Sequence, residues 1–241
     1  MKIIDCEQLS PEWRSVKLGL PSASQFHRIM TPKTRKFSEA SISYIYELLS
    51  EWATAEEAND ECSEFMKRGK LQEHPARLAF QYEHDCEVDL IGFITDDNGR
   101  YGCSPDGCIS GKEGLEIKVM SAVKHVKRLL ADDDDYRCQV QGGLWITGWE
   151  CWHRYTWHPT MPPDDRKVLP DPEFIGPLAE CMTTFLERLE TERDALIAKG
   201  CKPAPKPGER CRFKLDDGRW CLSTNGLTMT QGEWRCARHV S

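Results

Sequence analysis

The chain has 241 residues, of which 39% are apolar and 29% charged, with a net charge of −7 and a mean hydropathy of −0.58. That length supports one large domain, or one domain with a small appendage, and no window approaches the about 20 apolar residues of a membrane helix. The apolar run after Met1 is too short for a secretory signal, so a cytoplasmic location is expected, and the 12 cysteines read as small buried hydrophobes in a reducing compartment.

Residues 11–30 read as an entry segment and a short helix, with Ser22 or Ser24 as N-cap ahead of Gln25–Met30. A longer helix is expected over 38–57, with Ile42, Ile45, Leu48, Leu49 and Trp52 at helical spacing. A second is expected over 63–83, with Phe65, Leu71, Leu78, Ala79 and Tyr82 as its buried stripe and a kink at Pro75. The period then changes. Val88–Thr95 is rich in strand formers, Asp97-Asn98-Gly99 is a hairpin turn, and Pro105–Ile109 and Gly114–Met120 flank a turn at Ser110-Gly111. Residues 88–120 therefore read as a three-stranded antiparallel meander. Helix follows over 121–130. The Asp132–Asp135 run reads as a solvated loop capping a helix over 136–146. A strand is expected over 150–157 and a long amphipathic helix over 175–199.

Lys202–Gly208 is a linker by its alternating prolines. Two turn signals beyond it suggest a small β appendage, so the chain divides into a domain over 1–200 and an appendage over 201–241. The appendage holds eight Lys or Arg and four acids, a balance of +4 that leaves −11 on the rest. The acidic whole is still compatible with a polyanionic partner, because the field in a cleft follows the nearby charges. Cys201, Cys211, Cys221 and Cys236 lack the close Cys-x-x-Cys pairing that zinc sites prefer.

The chemistry is concentrated in Pro105-Asp106-Gly107 and Gly114-Leu115-Glu116-Ile117-Lys118. Residues i and i+2 of a strand share a face, so Glu116 and Lys118 point together while Ile117 points into the core. A hairpin brings Asp106 beside Glu116. Two converging carboxylates are unfavourable without a cation between them, and oxygen donors, with the Ile117 carbonyl as a third, select a hard ion such as Mg2+. On these residues alone, a solvated Glu–Lys pair on two surface strands fits as well.

The Asp…Glu-x-Lys arrangement, with its preceding proline, resembles the PD-(D/E)xK nuclease superfamily. Glu73 within Gly69–Glu73, the Tyr136–Gln141 helix start, and Trp13 followed by Lys17-Leu18-Gly19 and Ser22-Ala23-Ser24 extend the likeness in order across about residues 11–157. Together they resemble the lambda-exonuclease (YqaJ-type viral recombinase) family. The resemblance implies an α/β, restriction-endonuclease-like fold, a mixed and mostly antiparallel central sheet flanked by helices. It implies Mg2+, two ions per site, with Mn2+ as a substitute. Asp106, Glu116 and the Ile117 carbonyl become metal ligands, Glu73 holds water or the second ion, Lys118 is the catalytic lysine and Gln139 bonds near the water or phosphate. Lys17, Ser22 and Ser24 become a 5′-phosphate pocket, with lysine where the family pattern has arginine. Trp13 becomes a DNA contact and Met66 a wedge between strands, although by residue type each is equally a packing residue. The Lys124–Arg128 stretch reads as a solvated face or a DNA-backbone contact. The implied activity is 5′-to-3′ degradation of one strand of linear duplex DNA, leaving a 3′ overhang. A homotrimer around DNA and a single-strand annealing partner are implied with it. A structure-specific endonuclease and a non-catalytic DNA-end-binding protein are the rival readings.

Overall fold

A computed structural model describes residues 1–58, 64–131 and 135–205 and, in the C-terminal stretch, residues 215, 219, 221, 223, 226–230 and 233–238; the side chains of residues 64–68, 70 and 230 are not described. In chain order the elements are β1 (Lys2–Ile4), α1 (Pro11–Lys17), a 3-10 helix (Ala23–Arg28), β2 (Met30–Thr31), β3 (Lys36–Phe37), α2 (Ser41–Thr54) and α3 (Glu64–His84). Then come β4 (Phe93–Thr95), β5 (Gly102–Cys103), β6 (Gly107–Ile109), β7 (Glu113–Val119), α4 (Ala122–Leu130) and α5 (Arg137–Thr147). The last are β8 (Cys151–His158), β9 (Met161–Val168), α6 (Pro172–Ala198), β10 (Thr228–Thr230) and β11 (Glu233–Arg235).

The main sheet has the order β6-β7-β8-β9. β6–β7 and β8–β9 are antiparallel, and β7–β8 is parallel with Glu116 opposite Arg154 and Ile117 opposite Tyr155. The alternation of a strand gives this sheet two distinct faces. One carries Leu115, Ile117 and Tyr155, which pack with Ala76 and Phe80 of α3. The other carries Trp152, which packs against α5: a Cβ on Gly143 would lie 2.6 Å from the Trp152 ring, and one on Gly114 2.3 Å from it. Glycine at both places lets the helix and strand close on the indole. The larger core cluster lies on this side, where Leu144 and Ile146 of α5 meet Leu178, Met182 and Phe185 of α6 and Ile45 and Leu48 of α2.

The expected meander is corrected. Residues 88–120 split between two sheets: β4 and β5 join β1 in the order β1-β4-β5, while β6 and β7 belong to the main sheet. Ser104-Pro105 separates them, since proline has no N–H to continue a ladder. The stretch 88–95 is itself divided, with Asp89 bridging to Cys108 and only Phe93–Thr95 forming a strand.

The expected stripe of α3 is also corrected. Leu71 is 76% exposed, Leu78 52% and Tyr82 89%, whereas Ala76 and Phe80 are buried; Phe65 lies outside the described side chains. The inner face runs Glu73, Ala76, Arg77, Phe80 and His84, again at helical spacing, and carries charge because it leads into a cleft. In α2, Ile42 is exposed and Tyr44 takes a buried place. In α4, His125 and Arg128 are buried while Val123, Val126 and Leu130 face outward, so its basic stretch is not a simple solvated face. The expected short helix is the 3-10 helix, and Ser22 occupies its cap position without a side-chain capping bond. Residues 132–134 lie outside the described residues, and the α5 cap position, Tyr136, makes no side-chain capping bond.

Helix α6 begins at a working cap: the Asp171 carboxylate accepts from the Glu173 and Phe174 N–H groups at 3.1 and 3.2 Å and pairs with Arg137 at 2.5 Å. The Arg137 hydrogen bond is the main influence holding the Asp171 carboxyl below its ordinary value. Asp171→Ala is expected to lower stability by about 1 kcal/mol, read as a reduced urea midpoint with unchanged slope.

Candidate active site

The main sheet presents Glu116 and Lys118 on the face opposite Leu115 and Ile117, as the i, i+2 spacing requires. Ile117 is buried in the α3-side core. Asp106 directly precedes β6. Its own N–H donates to the Leu115 carbonyl at 2.9 Å, and its Oδ2 accepts from the Ile117 N–H at 2.6 Å. The carboxylate thus continues the pairing that Pro105 interrupts, and the same bond fixes its aim. Lys118 Nζ lies 2.5 Å from Glu116 Oε1 and 4.8 Å from the centre of the Tyr136 ring.

A cleft of about 490 Å3 is lined by Glu73, Asp106, Glu116 and Gln139 together with Trp13, Lys17, Ser22 and Ser24. Glu73 arrives on α3, where Arg77 holds its Oε1 at 2.7 Å. Gln139 arrives on α5. Glu116 is only 3% exposed. Burial pushes the Asp106 carboxyl well above its ordinary value; the Glu116 charge, and more weakly that of Glu73, adds to the rise, and Lys118 and the Ile117 N–H oppose it without cancelling it. For Lys118, burial pulls downward, but the charges of Glu116 and Asp106 outweigh it and raise the ammonium above its usual range. A carboxyl raised by its carboxylate neighbours in this way matches a site for a hard divalent cation.

Trp13 is held in place. Its Nε1 donates to Ser104 Oγ at 2.7 Å and to the Gly92 carbonyl at 3.1 Å, and Lys17 Nζ sits 3.7 Å over its ring. Lys17, Ser22 and Ser24 also border a neighbouring cleft of about 410 Å3. The Ser22 and Ser24 hydroxyls are 3.4 Å apart, and the Ser22 N–H donates to the Tyr44 hydroxyl. Met66 lies in the first turn of α3, and its side chain is outside the described residues. Gln141, two residues beyond Gln139, is buried: its Nε2 donates to the Leu169 carbonyl and its Oε1 accepts from the Asp171 N–H, both at 2.9 Å.

Several neighbours escaped sequence reasoning. Arg154, the register partner of Glu116, is buried. Arg77 and His74 also line the cleft, as do residues 6–9. The spacing of Arg77 from Glu73, four residues along a helix, was an available signal; the pairing of β7 with β8 left no local mark. In the appendage, β10 and β11 pair antiparallel, and the Cys221 and Cys236 sulfurs are 3.8 Å apart. Cys211 lies outside the described residues.

Among curated proteins, no sequence matches significantly. The solved structure of an alkaline exonuclease from Laribacter hongkongensis is similar at 24% identity and a TM-score of 0.71, covering 79% of this chain and 98% of that one. The same exonuclease in complex with dAMP gives 23% identity and 0.72, with equal coverage. A phage-related exonuclease from Haemophilus somnus 129PT gives 14% identity and 0.57, covering 75% of this chain and 96% of that one. These likenesses show a shared mixed α/β fold, consistent with the restriction-endonuclease-like architecture. The model of the YqaJ-like viral recombinase domain matches residues 12–150, more than half of the chain, and the protein belongs to that family.

Proposed function

We propose that this protein is a divalent-metal-dependent nuclease that degrades one strand of linear duplex DNA from 5′ to 3′, leaving a 3′ single-stranded overhang for phage-type recombination. The observation that carries the reading is the meeting of Glu73, Asp106, Glu116 and Gln139 in one cleft, with Lys118 paired to Glu116. The family membership points the same way, as do the similar structures, which are of an alkaline exonuclease, one of them in complex with dAMP.

Asp106, Glu116 and the Ile117 carbonyl would hold Mg2+, or Mn2+ in its place, and Glu73 a second ion. The donor set fits: it is all oxygen, and its mutual repulsion is relieved by a cation. The chemistry supplied by such ions when bound is polarisation of a phosphodiester oxygen and easier deprotonation of an attacking water. Lys118 contributes a fixed positive charge beside the scissile phosphate, Gln139 orients water or phosphate through its amide, and Arg77 keeps Glu73 aimed into the cleft. Lys17, Ser22 and Ser24 receive the 5′-phosphate, with Trp13 as a DNA contact and Met66 as the wedge parting the strands. A lysine here gives a point charge where arginine gives a bidentate fork, so selection for the phosphate is weaker than an arginine would provide.

A homotrimer around the duplex is supported by apolar side chains left outward on α3 and α4, including Leu78, Tyr82, Val123 and Leu130. A single-strand annealing protein is the proposed partner, residues 1–200 the nuclease domain, and the basic appendage over 201–241 a DNA or protein contact. Among the described residues no helix is long and apolar enough to cross a membrane, and the proposed setting is the host cytoplasm.

The test is digestion of linear and circular duplex DNA with Mg2+, the linear form bearing 5′-phosphate or 5′-hydroxyl ends. Loss of linear DNA alone, faster with 5′-phosphate, is expected. Cutting of circles replaces the exonuclease with an endonuclease, and binding without cutting replaces it with an end-binding protein.

A further inference from the structure

The α3-side face of the main sheet carries a second group of ligand-type side chains, across the sheet from Glu116. His84 ends α3, where Asp85 turns left-handed at a φ of 48°. His153 stands on β8 and Asp165 on β9. His84 Nε2 is 2.9 Å from Asp165 Oδ2, and His153 Nδ1 is 3.4 Å from both Asp165 oxygens. The three donor atoms all lie within 4.8 Å of one another. A tetrahedral ion with bonds of about 2.0–2.1 Å sets its donors roughly 3.3 Å apart, so these positions need only small adjustment to share one.

His153 also belongs to an overlapping set, Glu113, Cys151 and His153, but the carboxylate of that set is already paired with Lys167, which favours the trio. His153 Nε2 lies 3.2 Å from Glu113 Oε2. A ligating imidazole characteristically donates its other ring N–H to a carboxylate, which fixes its tautomer and ring orientation. Glu113 is itself held by Lys167 at 3.4 Å. Phe80 packs on the His84 ring at 4.2 Å and on the His153 ring at 5.2 Å, so both rings have an apolar backing. His153 is buried, and the exposed His84 leaves the site open on one side.

We propose that His84, His153 and Asp165 form a zinc site with water in its fourth position, distinct from the oxygen-lined cleft. Two imidazoles and one carboxylate suit Zn2+, whereas Mg2+ prefers oxygen donors alone. The ion ties the last turn of α3 to β8 and β9. Glu73 lies eleven residues earlier on the same helix, about 16 Å along its axis, so the clamp also seats the element that carries Glu73 to the cleft.

The test uses the full chain carrying Cys221→Ser and Cys236→Ser, so that this close pair of thiols does not compete, with excess Mg2+ present. Zinc affinity is measured by competition with a chromophoric chelator, zinc content by elemental analysis, and melting temperature with and without Zn2+. One zinc per chain and a rise in melting temperature are expected. Glu113→Gln, which removes the carboxylate that orients His153 and pairs with Lys167, is expected to weaken zinc by about 10–100-fold, and His84→Ala and Asp165→Asn by more. His84 is exposed at a helix end, so its replacement leaves the fold intact. A parent that takes up no zinc, or a His84→Ala chain that binds it as tightly as the parent, overturns the proposal.

Discussion

Lys118→Ala is expected to slow degradation of linear duplex by about 10²–10⁴-fold while DNA binding persists. The reasoning starts from charge. Lys118 Nζ sits 2.5 Å from Glu116 Oε1. Burial works against its charge, but Glu116 and Asp106 reverse the balance, so the side chain stays an ammonium. Its proposed contribution is therefore electrostatic stabilisation where negative charge gathers on the transferring phosphate. Lys118→Arg keeps the charge but spreads it over a planar fork, and is expected to recover only part of the rate. Single-turnover release of nucleotides separates this step from binding. A Lys118→Ala chain degrading DNA at the parental rate removes Lys118 from the chemistry.

Much of this site was legible because strand geometry is local. Glu116 and Lys118 share a face by the period of two, and the nearby turn brings Asp106 alongside. Glu73 and Gln139 lie on helices far along the chain, and no spacing rule reaches them; they entered only through the family resemblance. Arg154 was invisible for a related reason. It meets Glu116 through the parallel pairing of β7 and β8, which depends on a crossover through two helices rather than on a turn motif.

The helices misled where apolar counting met function. On α3 the apolar residues Leu71, Leu78 and Tyr82 point outward, because the inward face must deliver Glu73 and pack Phe80 against Tyr155, whose ring lies 5.2 Å away. On α4 the same inversion buries His125, whose Nε2 lies 2.7 Å from the Pro162 carbonyl. Strand β9 was missed altogether. It carries Pro162 and Pro163, and β9 is the edge of its sheet, where a missing N–H is tolerated.

The carboxylate cluster proposed as the metal site should cost the metal-free protein stability, and Asp106→Asn is expected to expose that cost. Burial, and then the charge of Glu116, raise the Asp106 carboxyl well above its ordinary value of 3.8. A carboxyl raised in the folded state contributes stability that is fully present below its unfolded value and is lost as pH rises through the folded value. In chelator at neutral pH, the parent therefore carries an unfavourable charge at Asp106 that the amide lacks, while the amide oxygen still accepts from the Ile117 N–H. The Asp106→Asn chain should melt above the parent, with the gap closing as the pH is lowered toward 4. Adding Mg2+ should raise the melting temperature of the parent, leave that of the variant nearly unchanged, and restore cleavage only to the parent. Such a trade of stability for function is common where like charges are gathered for a ligand. If Mg2+ gives the parent no added stability, and the variant melts no higher at neutral pH, these carboxylates are not the cation site.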